Sequence, residues 1–217
     1  MIFDKLEQTH NKSFFAIIVG SGPAGISLAL KLEKKGYKSL ILEAGSFNFK
    51  IENEKFIDGE TVGDKYNELK TTRSREFGGT SSRWGGNCSI LKDEDFSTWP
   101  IKKKDLDIYS NEAREILNVR NDLYHNKFSE NLDYFNVEWS NVKFKEKYFN
   151  YIKNSKKIFL SLNTIFCDMH GKNGNVEKIR CFKNKFFFIK SKNIILSCGG
   201  IENNRLLLLS LKNNKSL

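Results

Sequence analysis

"FFAIIVGSGPAGISLALKLEKKGYKSLILEAGS", residues 14–46, is the stretch that decides the fold. Phe14 to Val19 is a continuous apolar run, the pattern of a strand buried on both faces. Gly20, Gly22 and Gly25 follow at G-x-G-x-x-G spacing. Pro23 stands at the first position of the helix that follows, where a missing N–H costs nothing. From Ala24 to Lys35, Ile26, Leu28, Ala29, Leu30 and Leu32 give an apolar side and the rest a charged one. Gly36 stops this helix, and Ser39 to Leu42 is a second strand, so the stretch predicts a βαβ unit. In such a unit the first glycine allows the tight turn, the second lets backbone approach a pyrophosphate, and the third lets helix and strand pack closely. Ser21, Pro23 and Ala24 complete the turn. Phosphates would meet the helix N–H groups and its positive dipole end. Glu43, 23 residues after Gly20, is placed to accept the ribose hydroxyls of an adenosine and to repel a 2′-phosphate, which argues against NADP; Ala44 follows it. By itself the motif leaves FAD and NAD open, with a ligand-free glycine turn as the plain alternative.

A second glycine-rich stretch, "EFGGTSSRWGGNC" at residues 76–88, has neither helical nor strand periodicity. A simple NAD domain has no use for it. FAD is longer, ends in a flat ring system and needs backbone from a second side. Gly78, Gly79, Gly85 and Gly86 would allow that approach. Thr80 and Ser81 offer hydroxyls, Trp84 a flat surface, and Arg73 or Arg75 a charge to set against phosphate. Trp84 suits a core position equally well, and the arginines suit loop bracing.

"SREFGGTSSRWGGNC", "DFSTWPIKKKDLDIYSNEAREIL" and "NIILSCGGIENNRLLLLS" resemble, in order, segments of the glucose-methanol-choline (GMC) flavin oxidoreductases. The similarity is greatest to the bacterial branch with a GGTSxxWGG loop, and the N-terminal "IIVGSGPAGISLALKLEKKGYKSLILEAG" resembles the FAD-binding start of the same family. The resemblance spans nearly the whole chain. It implies that Gly20, Ser21, Gly22 and Gly25 form the pyrophosphate turn, that Glu43 is the ribose acid, and that Gly78, Gly79, Thr80, Ser81, Trp84, Gly85, Gly86 and Asn87 line the isoalloxazine. It also implies that Gly199 and Gly200 end a strand returning to the cofactor, with Ile165 as a looser match to a backbone contact with adenine. Some relatives attach FAD through a histidine just before the loop tryptophan. Arg83 stands there, so FAD is expected to be non-covalent.

The expected fold is α/β: a Rossmann-like FAD/NAD(P)-binding domain with a parallel sheet plus a small β-meander, incomplete relative to the full family fold. Residues 1–217 are expected to form one domain, with 93–157 as a helical and irregular insertion. Lys103 to Asn118 reads as a helix with Leu106, Tyr109, Ala113, Ile116 and Leu117 on one face, and 119–157 as irregular. Short strands run from Ile158 to Ser197, with turns at Gly171–Asn175 and Lys183–Lys185. Glu202 to Leu211 reads as a helix covering the sheet. No internal repeat or linker is evident.

The 217 residues are 39% hydrophobic and 13% aromatic, enough for a sizeable core. The formal net charge is +10, but the lysines are scattered and the only tight run is Lys102–Lys104. That favours a lysine-biased surface over a nucleic-acid face, so no nucleic-acid partner is expected. Cys88, Cys167, Cys181 and Cys198 form neither a CxxC pair nor a metal knuckle, and no metal is expected. They read as thiols of a reducing compartment. The N-terminus lacks the pattern of a signal peptide, and the apolar run Leu206 to Leu209 is far short of a membrane span. The expected location is cytoplasmic.

Flavin-dependent alcohol oxidation needs a base for the hydroxyl proton. The resemblance implies a histidine for it, in a C-terminal segment beyond the last match. His10, His125 and His170 do not match that position and read as surface residues, in the N-terminal stretch, the irregular region and a turn. No catalytic residue is assigned. The chain is therefore expected to be the FAD-binding portion of a GMC-type oxidoreductase acting on CH–OH groups. It would take an alcohol or sugar substrate only with its missing C-terminal part, a downstream-encoded second half being one form of it. A catalytically inactive flavin-binding remnant is the alternative, and a basic nucleic-acid-binding module a third.

Overall fold

The computed structural model describes residues 1–9, 12–120 and 125–215, so His10 and the chain's last residue, Leu217, lie outside the described residues. The chain divides into two compact units: Met1–Arg83 with Lys143–Leu217, and Trp84–Val142.

The first unit is built on the βαβ stretch. Strand β1 (Ala16–Val19), helix α1 (Pro23–Lys34) and strand β2 (Ser39–Leu42) follow the sequence expectation closely. Next come α2 (Phe144–Asn154), β3 (Ile158–Ser161), the antiparallel strands β4 (Ile165–Lys172), β5 (Asn175–Lys183) and β6 (Lys185–Lys190), then β7 (Asn193–Leu196) and α3 (Gly200–Asn213). Strands β7, β1, β2 and β3 make a parallel sheet in that order, and β6, β5 and β4 a three-stranded meander. This is the α/β, Rossmann-like arrangement with a parallel sheet and meander.

Side chains alternate across the parallel sheet. Ile17, Val19, Leu40, Leu42 and Phe159 join a core with Phe166, Met169, Ile179, Cys181, Phe187 and Ile189 of the meander. Their neighbours Ile18, Ile41 and Leu160 are fully buried as well and point to the other face, where α1 crosses the strands. Both faces are covered, which is why these strands read as unbroken apolar runs.

Three sequence expectations are corrected here. The stretch 119–157 is not wholly irregular, because it contains α2, which belongs to the first unit. That helix buries Phe144, Tyr148 and Ile152, a strict four-residue spacing carried largely by aromatics. His170 lies on β4 rather than in a turn, and Asn173 and Gly174, both at positive φ, make the turn instead. The loop 76–88 is not devoid of regular structure: Gly79–Ser82 is a 3₁₀ turn and Asn87–Cys88 a short strand.

In the second unit the expected helix 103–118 is two, Lys103–Asp107 and Ser110–Leu117. Neither buries a residue; Tyr109, between them, is 52% exposed. A hairpin of His125–Ser129 and Leu132–Phe135 carries the backbone of His125, whose side chain lies outside the described residues. Asn87–Cys88 pairs with Glu138–Trp139. Among the described residues no helix is long and apolar enough to cross a membrane.

Candidate functional site

The carboxyl ends of parallel strands, where β1 and β7 give way to glycine turns, form the crevice in which open α/β sheets bind ligands. Gly20 leaves β1 at φ +101°, and a Cβ there would sit 2.7 Å from the Ser197 carbonyl oxygen. A Cβ on Gly25 would sit 2.1 Å from the Gly20 oxygen. These two positions are closed to any side chain. Gly22 caps α1 and Pro23 follows, with no side-chain hydrogen bond capping this end among the described residues.

Glu43 ends β2 and turns back to this turn. One carboxylate oxygen, Oε2, accepts the Ser21 N–H at 3.0 Å and the Ser21 hydroxyl at 2.5 Å. The other, Oε1, accepts the Gly45 N–H at 2.7 Å. Burial raises the carboxyl above its ordinary value, against the opposing pull of these hydrogen bonds and the Arg75 charge. The Glu43 carbonyl in turn accepts the Thr164 N–H at 2.8 Å, which fixes the start of β4 and Ile165 next to this acid. Ala44 is half-buried beside it.

The first half of the second glycine stretch arrives at the same place. The Gly78 N–H donates to the Ser21 hydroxyl at 3.2 Å, and a Cβ on Gly79 would lie 3.1 Å from the Gly22 Cα. Gly78 is left-handed, at φ +89°, and the backbone of Lys145 on α2 lies where a side chain would go. The segment is held from below by Glu76, 2% exposed, which takes the Lys145 ammonium at 2.8 Å and the Ser74 hydroxyl at 2.7 Å. The sequence reading did not single out this carboxylate; one lysine among many gave no signal for its partner. Ser81 turns its hydroxyl onto the Gly78 carbonyl at 2.7 Å, so it braces the loop itself. Thr80 is exposed.

The second half of the stretch belongs to the other unit. There the Trp84 indole N–H donates to the Val142 carbonyl at 3.0 Å, and Gly86 packs its backbone against Ser140. Gly85 and Asn87 are exposed. In the first unit, Gly199 and Gly200 lead from β7 into α3, both exposed, with open space where their Cβ atoms would be.

Arg75 lies beside the crevice, its guanidinium 4.7 Å above the Phe56 ring. Burial lowers its affinity for the proton, and the nearby Glu43, Glu202 and Glu54 charges oppose that. Gly45 is pressed on the Arg75 carbonyl, where a Cβ would stand 2.1 Å away. Cys198 is pushed up to about 12, chiefly by burial and then by the Glu43 and Glu202 charges; it is not a thiolate nucleophile. His170 stands away from these residues, on the meander, with Nε2 2.7 Å from the Asp168 carboxylate. Among the described residues no group of three His, Cys, Asp or Glu side chains could hold a metal ion.

Residues 18–49 match the family described as NAD(P)-binding Rossmann-like domain. Human lysine-specific histone demethylase 2 is 28% identical over 116 residues, which are 50% of this chain and 14% of that protein. Among solved structures, pyridoxine 4-oxidase from Mesorbium loti superposes with a TM-score of 0.58 at 13% identity, over 89% of this chain and 51% of that one. At that identity the likeness is one of fold. The chain spans about half of the solved oxidase and a far smaller share of the demethylase.

Proposed function

We propose that this chain binds FAD non-covalently, as the FAD-binding portion of a GMC-type oxidoreductase acting on CH–OH groups of an alcohol or sugar. One observation carries the reading. The second glycine loop meets the dinucleotide turn through the Gly78 N–H on the Ser21 hydroxyl, while that hydroxyl also reaches Glu43. A nicotinamide domain does not require a second bare backbone at its phosphate turn, whereas a dinucleotide with a flavin end does.

The residues fit such a group. The turn at Gly20 and Gly25 has no room for side chains, the start of α1 is uncapped, and the buried Arg75 Nε lacks an acceptor among the described residues. Glu43 would hold the adenosine ribose, Gly22 to Gly25 the diphosphate, and Gly78 with Gly79 would bring backbone to the flavin side. Bound FAD supplies a hydride acceptor. The chain's own groups bind and orient it, and the polar Ser21–Glu43 pair fixes the ribose end.

A second reading is a flavin-binding remnant without turnover. Anaerobic flavin bleaching with a panel of alcohols and sugars separates the two. The 217 residues alone should bleach with none; the chain supplied with a GMC-type substrate domain, fused or co-expressed, should bleach under the first reading and not under the second. Bleaching by the isolated chain would contradict both.

A further inference from the structure

Arg73 Nε and Nη1 and Arg75 Nε are buried without a hydrogen-bond acceptor among the described residues. Buried guanidinium donors are seldom left so. The remaining Arg73 nitrogen, Nη2, donates to the Ile57 carbonyl. Its Nη1 lies 3.6 Å from Glu202 Oε2, with both side chains under one-fifth exposed: an ion contact, too long for a hydrogen bond. Glu202, in the first turn of α3, is gripped more tightly from its other side. Arg205 donates Nε to Oε2 at 3.0 Å and Nη2 to Oε1 at 2.5 Å. One carboxylate is thus shared by two guanidinium groups, and the more buried of them keeps two donors unused.

These groups stand at the crevice. Glu202 lies in the first turn of α3, directly after Gly199 and Gly200 at the end of β7, and the Arg75 carbonyl packs on Gly45, two residues past Glu43; Arg75 feels Glu43, Glu202 and Arg205 together. A free anion would meet Glu43, Glu54 and Glu202 as well as the arginines. A dinucleotide resolves the conflict, with its ribose hydroxyls donating to Glu43 while its diphosphate supplies acceptors for guanidinium donors.

Resting on the dinucleotide reading above, we propose that Arg73 takes up the diphosphate, and that Glu202 competes with that diphosphate for Arg73 and so limits nucleotide affinity. Glu202 is then a specificity-setting carboxylate: it holds Arg73 against weak anions and yields to a diphosphate.

The test is calorimetric titration of the whole chain with FAD and ADP, and with adenosine as a competitor. The variants are Glu202→Gln, Arg73→Gln and the double substitution, each checked for thermal unfolding. Glu202→Gln should raise affinity for ADP and FAD by about 3- to 10-fold, and Arg73→Gln should lower it by on the order of tenfold. Adenosine should respond to neither. In the Arg73→Gln background most of the gain from Glu202→Gln should vanish. If Arg73→Gln unfolds, Arg73→Lys keeps the charge but not the fork and should still weaken ADP selectively. A Glu202→Gln protein with unchanged or weaker ADP affinity would overturn the proposal. So would a gain that survives in full without Arg73, which would be a general charge effect. A native chain that binds none of the three ligands overturns the dinucleotide reading itself, and this inference with it.

Discussion

The Ser21 hydroxyl lies 2.5 Å from Glu43 Oε2 and 3.2 Å from the Gly78 nitrogen. It donates to the first and accepts from the second. One small side chain therefore ties the dinucleotide turn, the acid at the end of β2 and the second glycine loop into one polar unit. Glu43→Ala removes the acceptor for Ser21, for the Gly45 N–H and, on our reading, for the ribose. A hydrogen bond to a charged group contributes roughly 1.5–3 kcal/mol, so FAD affinity should fall about 10- to 100-fold. Flavin fluorescence on titrating native and variant chains measures it; equal affinities would take Glu43 out of the site.

Gly78 is a structural requirement of that unit. At φ +89°, with a Cβ reaching within 2.9 Å of the Lys145 nitrogen, alanine is opposed by both backbone and packing. Gly78→Ala should destabilise the chain by about 1–3 kcal/mol and show as a lower thermal midpoint. Gly174→Ala also sits at positive φ, +75°, but in open space. It should cost less, by the difference that packing makes.

On the GMC-type reading proposed above, Arg83 stands where some relatives link FAD through a histidine. Its guanidinium lies over the Phe49 ring at 3.6 Å and near Glu76 at 3.8 Å. Acid precipitation of the flavin-loaded chain should leave the yellow colour in the supernatant. Colour in the pellet, with a flavin-bearing peptide by mass spectrometry, would contradict non-covalent binding.

Asp168 should govern the acid limb of stability. It is fully buried and takes hydrogen bonds from Asn213 on α3, Arg180 on β5 and His170. Burial alone would raise its carboxyl, yet these bonds together hold it below the ordinary value of 3.8. Its contribution is therefore full above that ordinary value and is lost as pH falls through it toward the lowered one. Asp168→Asn should flatten the fall of the thermal midpoint below about pH 4. An unchanged acid limb would show that other carboxylates dominate.

The parallel sheet was legible because burial on both faces leaves unbroken runs such as Phe14 to Val19, and because glycine punctuates it where backbone conformation demands. Ser21 and Glu43 were legible by type and spacing. The Glu76–Lys145 pair was not, since the two residues are brought together only by the fold. Helix α2 was missed because Phe144, Tyr148 and Ile152 sit among polar and aromatic neighbours that blur a helical stripe. The break at Tyr109 had no glycine or proline to announce it. The sequence places His170 in the turn a few residues too early, since β4 runs on to Lys172 before Asn173 and Gly174 reverse it.

Equilibrium titration of the purified 217-residue chain with FAD, followed by flavin fluorescence with NAD as competitor, tests the central claim most directly. The account predicts saturation at one FAD per chain, displacement by ADP, and little displacement by NAD at equal concentration. No change in flavin fluorescence across the titration, or complete displacement of FAD by equimolar NAD, would contradict it.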